Sequence, residues 1–146
     1  MDIISETFMS SSSYLKENER AAIATVVLVG GWIEGLYIAT QLIDDNNLEN
    51  NELARRVYEQ KLSFDILQKL LQQHQNDPDI QDLQAQLEGL KKIFAQISIK
   101  SSEVVPEKNE TTNVTTLKSE LEITASPETF RELKSNVNTL RSNFIL

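Results

Sequence analysis

Cysteine is absent from the chain, and histidine occurs once, as His74. The first absence excludes disulfides, thiolate nucleophiles and cysteine-held metals together, and it leaves the redox compartment open. The second excludes the paired Glu-x-x-His sets of di-iron bundles and any zinc site built on several imidazoles. A phosphotransfer role for His74 is disfavoured too, since "LLQQHQNDPD" lacks the lysine and small residues expected after such a histidine. No phosphate-gripping glycine loop, dinucleotide fingerprint or serine elbow is present. Acidic runs such as "IDDNN" and "NDPDIQD" lack the carboxylate spacing and central glycine of a calcium loop, and read as solvated turns and caps. No cofactor and no metal are expected.

Basic charge is also scarce. Lys and Arg number 14 against 22 Asp and Glu, a formal net charge of -8. With no basic cluster to offset that repulsion, nucleic acid and anionic lipid are unfavourable partners. Residues 1–16 hold no basic region followed by an apolar run, so no signal peptide is expected. The expected location is the cytoplasm, or the periplasm and cell envelope for a trimmed mature form.

What the chain does have is helical periodicity. At 146 residues and 40% hydrophobic content it is expected to form one domain, 1–146. Residues 2–16 carry Ile4, Phe8 and Leu15 at roughly helical spacing, and Asn18 can cap the helix after them. An apolar segment runs from Ala21 to about Ile43. From 51 to 75 a broad stripe through Leu53, Ala54, Val57, Tyr58, Phe64, Leu67, Leu70 and Leu71 predicts a helix lying on a core. Asp77 and Pro78 supply a cap and a first position for the next helix, whose Ile80, Leu83, Leu87, Leu90, Phe94 and Ile97 repeat at spacings of three and four. Ser126 and Pro127 open a last helix on the same logic, with Phe130, Leu133, Val137, Leu140 and Phe144 as its stripe. The intervening residues, about 100–126, are rich in Ser, Thr, Glu and Asn. They alternate weakly through Val114, Leu117, Leu121 and Ile123, which predicts a long polar connection with room for a short strand or strand pair. The expected class is all-α, an antiparallel bundle of four to five helices around a fully apolar central helix.

The central helix is "AAIATVVLVGGWIEGLYIATQLI", residues 21–43. Its uninterrupted apolar stretch is shorter than the roughly 20 residues a bilayer needs, and Glu34 sits near its middle. No transmembrane span is expected. Apolar side chains fall on every side of the wheel, as in a helix surrounded by others. Gly31, Gly35 and Ala39, at i, i+4 and i+8, make a groove of bare backbone, read as a close-packing site for a neighbouring helix. Gly31-x-x-x-Gly35 is also a membrane dimer motif, but outside lipid the same spacing marks close packing. Gly30, Glu34, Tyr37 and Gln41 form a polar line on one side. Two readings of that line are open. In one, Glu34 is satisfied by Tyr37, Gln41, Arg55 or Arg56; in the other, Trp32, Glu34, Tyr37 and Gln41 bind a small ligand, with Glu34 as acid, base or anchor.

"GGWIEGLYIATQL" and the closing "SPETFRELKSNVNTLRSNFI" resemble a family of helical proteins of Bacteroidetes that are secreted or lipid-anchored in the cell envelope. The resemblance implies a helical fold and an envelope location, and no activity; the signal sequence and lipid-attachment cysteine usual in that family are missing here. The expected function is a noncatalytic structural or interaction protein that engages a partner protein, its oligomeric state open. The alternative is a ligand-binding protein or enzyme built on the Glu34 line.

Overall fold

The computed structural model describes residues 3–17, 20–112 and 114–144. Five helices occur among them: α1 (Ile3–Glu17), α2 (Ala21–Gln41), α3 (Glu52–Gln72), α4 (Pro78–Ala95) and α5 (Pro127–Phe144). Four strands lie between the last two helices: β1 (Ser98–Ser101), β2 (Val105–Asn109), β3 (Val114–Lys118) and β4 (Leu121–Thr124). Asn18 and the side chains of Phe8, Leu15 and Leu117 fall outside the described residues.

The helix starts are set by their caps. Asn51 Oδ1 accepts from the backbone N–H of Leu53 and Ala54 at 3.0 and 3.1 Å, and Asp77 Oδ1 accepts from Asp79 and Ile80 at 2.9 and 3.4 Å. Pro78 and Pro127 occupy first helical positions, where a missing N–H costs nothing. Ser126 Oγ accepts from the Thr129 N–H at 3.1 Å.

The three-and-four stripes become the core. Ile80, Leu83, Leu87, Leu90, Phe94 and Ile97 are all buried, and so are Phe130, Leu133, Val137 and Leu140 opposite them on α5. The two helices approach closely at Gly89, where a Cβ would lie 2.7 Å from Asn136 Nδ2. From α3 come Ala54, Val57, Tyr58, Phe64, Leu67 and Leu71, and α2 contributes Val29, Ile33 and Leu36. Buried Thr25 and Thr40 return their hydroxyls to α2's own carbonyls, of Ala21 at 3.0 Å and Tyr37 at 2.8 Å, so neither is left unsatisfied.

The all-α expectation is overturned, because residues 98–124 fold into two antiparallel two-stranded sheets and the class is mixed. β1 pairs with β4 from Ser98↔Thr124 to Ser101↔Leu121, and β2 pairs with β3 from Val105↔Lys118 to Asn109↔Val114. The two pairs are nested in one hairpin arm. At the break between them the Ser102 N–H donates to the Glu120 carbonyl, and the Glu120 N–H donates to Ser102 Oγ, each at 2.8 Å. Near its root, Ile99, Ile123 and Ala125 lean on the core, while β2 is exposed throughout. An arm with both faces in water needs no alternation of apolar and polar residues, so it leaves little period-two signal. Pro106 is tolerated because every strand of a two-stranded sheet is an edge strand.

A second correction concerns α2. It packs against α5, α3, α4 and α1 but is not enclosed by them. Its buried residues, Thr25, Val29, Ile33, Leu36 and Thr40, occupy one side at spacings of four, four, three and four. The opposite side faces out.

Candidate functional site

Glu34 lies on the flank of α2 toward α5. Its Oε2 accepts from Arg141 Nε at 2.7 Å, and the Arg141 guanidinium sits 4.3 Å from the centroid of the Tyr37 ring. The hydrogen bond to Glu34 raises the guanidinium pKa further above its ordinary value. The carboxylate is thus satisfied from α5, across 107 positions of sequence, rather than by Arg55 or Arg56. Those two pair with Glu59 and Glu52 within α3. A second polar tie holds the end of α2 to α5, where Lys134 Nζ donates to Asp45 Oδ1 at 2.8 Å.

The four residues of the expected ligand line do not converge. Glu34 and Tyr37 meet at Arg141. Trp32 turns the other way, its Nε1 donating to Gln60 Oε1 at 3.1 Å and its ring stacked on Phe64 at 5.7 Å, with Phe94 at 6.3 Å. It is partly buried rather than central to the core. Gln41 is exposed. Among the described residues, no group of three His, Cys, Asp or Glu side chains is placed to hold a metal ion.

The outward side of α2 is the larger finding. Ile23, Val27, Leu28, Ile38 and Leu42 are 50, 54, 40, 52 and 73% exposed. Gly31 and Gly35 lie between them, also exposed, and a Cβ built on either would meet no atom within 4 Å. The close packing expected at Gly31, Gly35 and Ala39 is therefore not made at the two glycines within one chain; Ala39 alone of the three lies against the core. The reason is geometric, since α3, α4 and α5 all sit on the Val29–Ile33–Leu36 side.

Two depressions border this band. One, of about 410 Å³, lies beside its N-terminal half between Ile23, Val26, Leu83 and Phe144, rimmed by Asp77 and Asp79. The other, of about 270 Å³, lies beside its C-terminal half between Trp32, Gly35, Ala39, Leu53 and Gln60. On α1 every described side chain is exposed, including Ile3, Ile4 and Met9. Among the described residues α2 is the one helix long and apolar enough to cross a membrane, with a mean hydropathy of 1.8 over a window only 22% buried.

A separate cleft of about 460 Å³ opens where α3, the loop before it and β4 meet, lined by Leu48, Arg55, Tyr58, Leu121, Ile123 and Pro127. The Tyr58 ring stands edge-on to Phe130 at 6.2 Å, and burial pushes its hydroxyl pKa above the ordinary 10.0. Arg55 Nη2 donates to the Leu121 carbonyl at 3.1 Å and pins β4 to α3. Sequence reading missed this cleft because its walls come from three separate stretches. Its one local trace is the i, i+3 placement of Arg55 and Tyr58.

No known family, curated protein or solved structure matches the chain. A functional reading therefore rests on this geometry.

Proposed function

We propose that the protein is a noncatalytic interaction module of the bacterial cell envelope that presents the outward side of α2 to another protein. One observation carries the reading: a helix-long band of Ile23, Val27, Leu28, Ile38 and Leu42, with two bare glycines among them and Glu34 and Gln41 along one edge, stands in solvent. A contiguous apolar surface of this kind, rimmed by polar residues, is the usual mark of an interaction site. The envelope location is part of the proposal and comes from the likeness read in "GGWIEGLYIATQL", not from the geometry.

Protein is favoured over lipid by what α2 holds on its other sides. Crossing a bilayer would carry the Glu34–Arg141 pair into hydrocarbon or strip Val29, Ile33 and Leu36 from the core. Surface adsorption is opposed by the net charge of -8 wherever the lipid is anionic. The test pairs vesicle flotation with the variant Val27→Glu/Ile38→Glu. The wild-type chain should stay off phosphatidylcholine and phosphatidylglycerol vesicles, and the variant should keep the wild-type circular dichroism and lose cross-linking to polypeptide. Flotation of the wild type alone, or unfolding of the variant, overturns the reading.

A second reading, a small-ligand site, attaches to the cleft at Tyr58 rather than to the Glu34 line. Tyr58 is 8% exposed, yet its hydroxyl has no hydrogen-bond partner among the described residues and the residue lines the cleft beside Arg55. Such a hydroxyl is an available donor for a ligand oxygen. Tyr58→Phe should abolish any ligand-induced rise in melting temperature while leaving the apo protein's melting temperature close to that of wild type.

A further inference from the structure

The cleft at Tyr58 is bordered on one side by the edge of a strand. Resting on the reading of that cleft as a binding site, we propose that its occupant is an extended segment of a partner polypeptide, which adds a third strand along the open edge of β4 with apolar side chains toward the cleft and a basic one at its rim.

The edge follows from the pairing. In an antiparallel ladder, successive residues turn their N–H and C=O alternately toward and away from the partner strand. The Ser102 N–H donates to the Glu120 carbonyl at 2.8 Å, so Glu120 turns toward the strand that holds β1 and Leu121 turns away. The Leu121 carbonyl accordingly accepts from Arg55 Nη2 at 3.1 Å, on the side opposite β1. Ile123, two residues on, turns both its N–H and its C=O the same way as Leu121. Among the described residues no side chain or loop group is bonded to either. A donor and an acceptor on one strand residue, facing outward together, are the groups with which another extended backbone pairs.

Folded chains ordinarily cover such an edge. Here α3 and the loop before it stand off from β4 and leave about 460 Å³, a volume within the range of binding sites. Leu48, Leu121, Ile123 and Pro127 give the cleft an apolar wall for the alternate side chains of an added strand. The Tyr58 hydroxyl is unpartnered but not sealed in, since among the described residues Asn136 Oδ1 is the one fully buried side-chain polar atom left unpaired. It therefore opens on the cleft, where it can donate to a carbonyl of the segment. At the rim, Arg55 is engaged by Glu59 and by the Leu121 carbonyl, and Glu52 by Arg56, whereas Glu49 has no cationic partner among the described residues. Glu49 and the net charge of -8 favour a Lys or Arg on the segment. The edge of β2 offers no such site, because that strand is exposed throughout and Pro106 removes one of its donors.

The test selects random heptapeptides displayed on phage against the full chain. Enriched sequences should carry apolar residues at alternate positions and a Lys or Arg between them. A synthetic peptide of the enriched sequence should slow hydrogen exchange of the Ile123 amide at least tenfold. Methylating the peptide nitrogen opposite Ile123 should weaken binding at least tenfold, and methylating either neighbouring nitrogen, which points to solvent, should weaken it far less. Tyr58→Phe should weaken binding at least threefold while keeping the wild-type circular dichroism. No enrichment over an unrelated protein overturns the peptide, and the cleft reading then stands or falls separately on whether metabolites raise the melting temperature of wild type but not of Tyr58→Phe. A peptide that binds without slowing exchange at Ile123, or that tolerates methylation at every nitrogen, overturns the added strand. Protection of Ile123 that Tyr58→Phe leaves unchanged keeps the strand and defeats the role of the hydroxyl.

Discussion

The two sides of α2 are made from the same kinds of residue and meet different fates. Thr25, Val29, Ile33, Leu36 and Thr40 are buried, whereas Ile23, Val27, Ile38 and Leu42 stand in water only a position or two away in sequence. Nothing in hydrophobicity separates Ile33 from Ile38. The difference comes from α3, α4 and α5, which place their stripes on one side of the helix and leave the other uncovered. A helix that is apolar all round thus records how much surface must be covered, but not by what. Here the fold of one chain covers about half.

The sharpest way to break this comparison is to truncate the same residue type on each side. Ile33→Ala should destabilise the monomer by about 3 kcal/mol, within the 2 to 5 usual for a core aliphatic. Ile38→Ala should change it by less than about 0.5 kcal/mol, as exposed substitutions do. Urea melts measure both. Equal costs would mean that the outward side is covered within the chain.

Trp32 tests the boundary between the two sides. It keeps an aromatic stack with Phe64 and Phe94 and a hydrogen bond to Gln60, yet it also lines the shallow groove beside Gly35. Trp32→Ala should therefore cost about 2 to 3 kcal/mol, below the 3 to 5 of a fully enclosed aromatic. Native emission should be blue-shifted from that of free tryptophan but accessible to a neutral quencher. Emission that no quencher reaches would place the indole in the interior and contradict the groove.

How much of the fold and the site was legible in the sequence depends on whether a signal was local. Asn51 and Asp77 advertise their helix starts through a side chain that caps the backbone two and three positions on, and the stripes of α4 and α5 needed only their period. The class was misjudged because the arm from Ser98 to Thr124 is mostly solvated on both faces, and its register depends on pairings such as Ser98↔Thr124 that no local pattern reveals. Glu34's partner was hidden for a similar reason. Arg141 is brought to it by the packing of α5 on α2, whereas Arg55 and Arg56, nearer in sequence, are held by Glu59 and Glu52. The small-residue groove was visible, but the sequence does not say that the described residues leave it open at Gly31 and Gly35.

That groove supplies a stabilising prediction. Gly31→Ala and Gly35→Ala should each raise monomer stability by roughly 0.5 to 1 kcal/mol, because alanine limits the unfolded chain and its methyl group meets no neighbour within 4 Å. Thermal melts of the monomer measure the gain. Destabilisation by either substitution would show that something already lies over the glycine. At Gly89 the outcome should be less favourable, because a Cβ there would stand 2.7 Å from Asn136 Nδ2 and the amide must move.

The smallest effect belongs to Glu34, on the flank that divides the two sides. Its side chain is 44% exposed and that of Arg141 is 33% exposed, so solvent screens the pair despite the 2.7 Å contact. Exposed pairs of this kind are worth roughly 0 to 1 kcal/mol, and Tyr37 beneath the guanidinium adds a contact that does not need Glu34. A double-mutant cycle of Glu34→Gln and Arg141→Lys should therefore give only a small coupling, the least of the effects predicted, shrinking further in high salt. A coupling several times larger and insensitive to salt would mean that the pair is shielded from solvent.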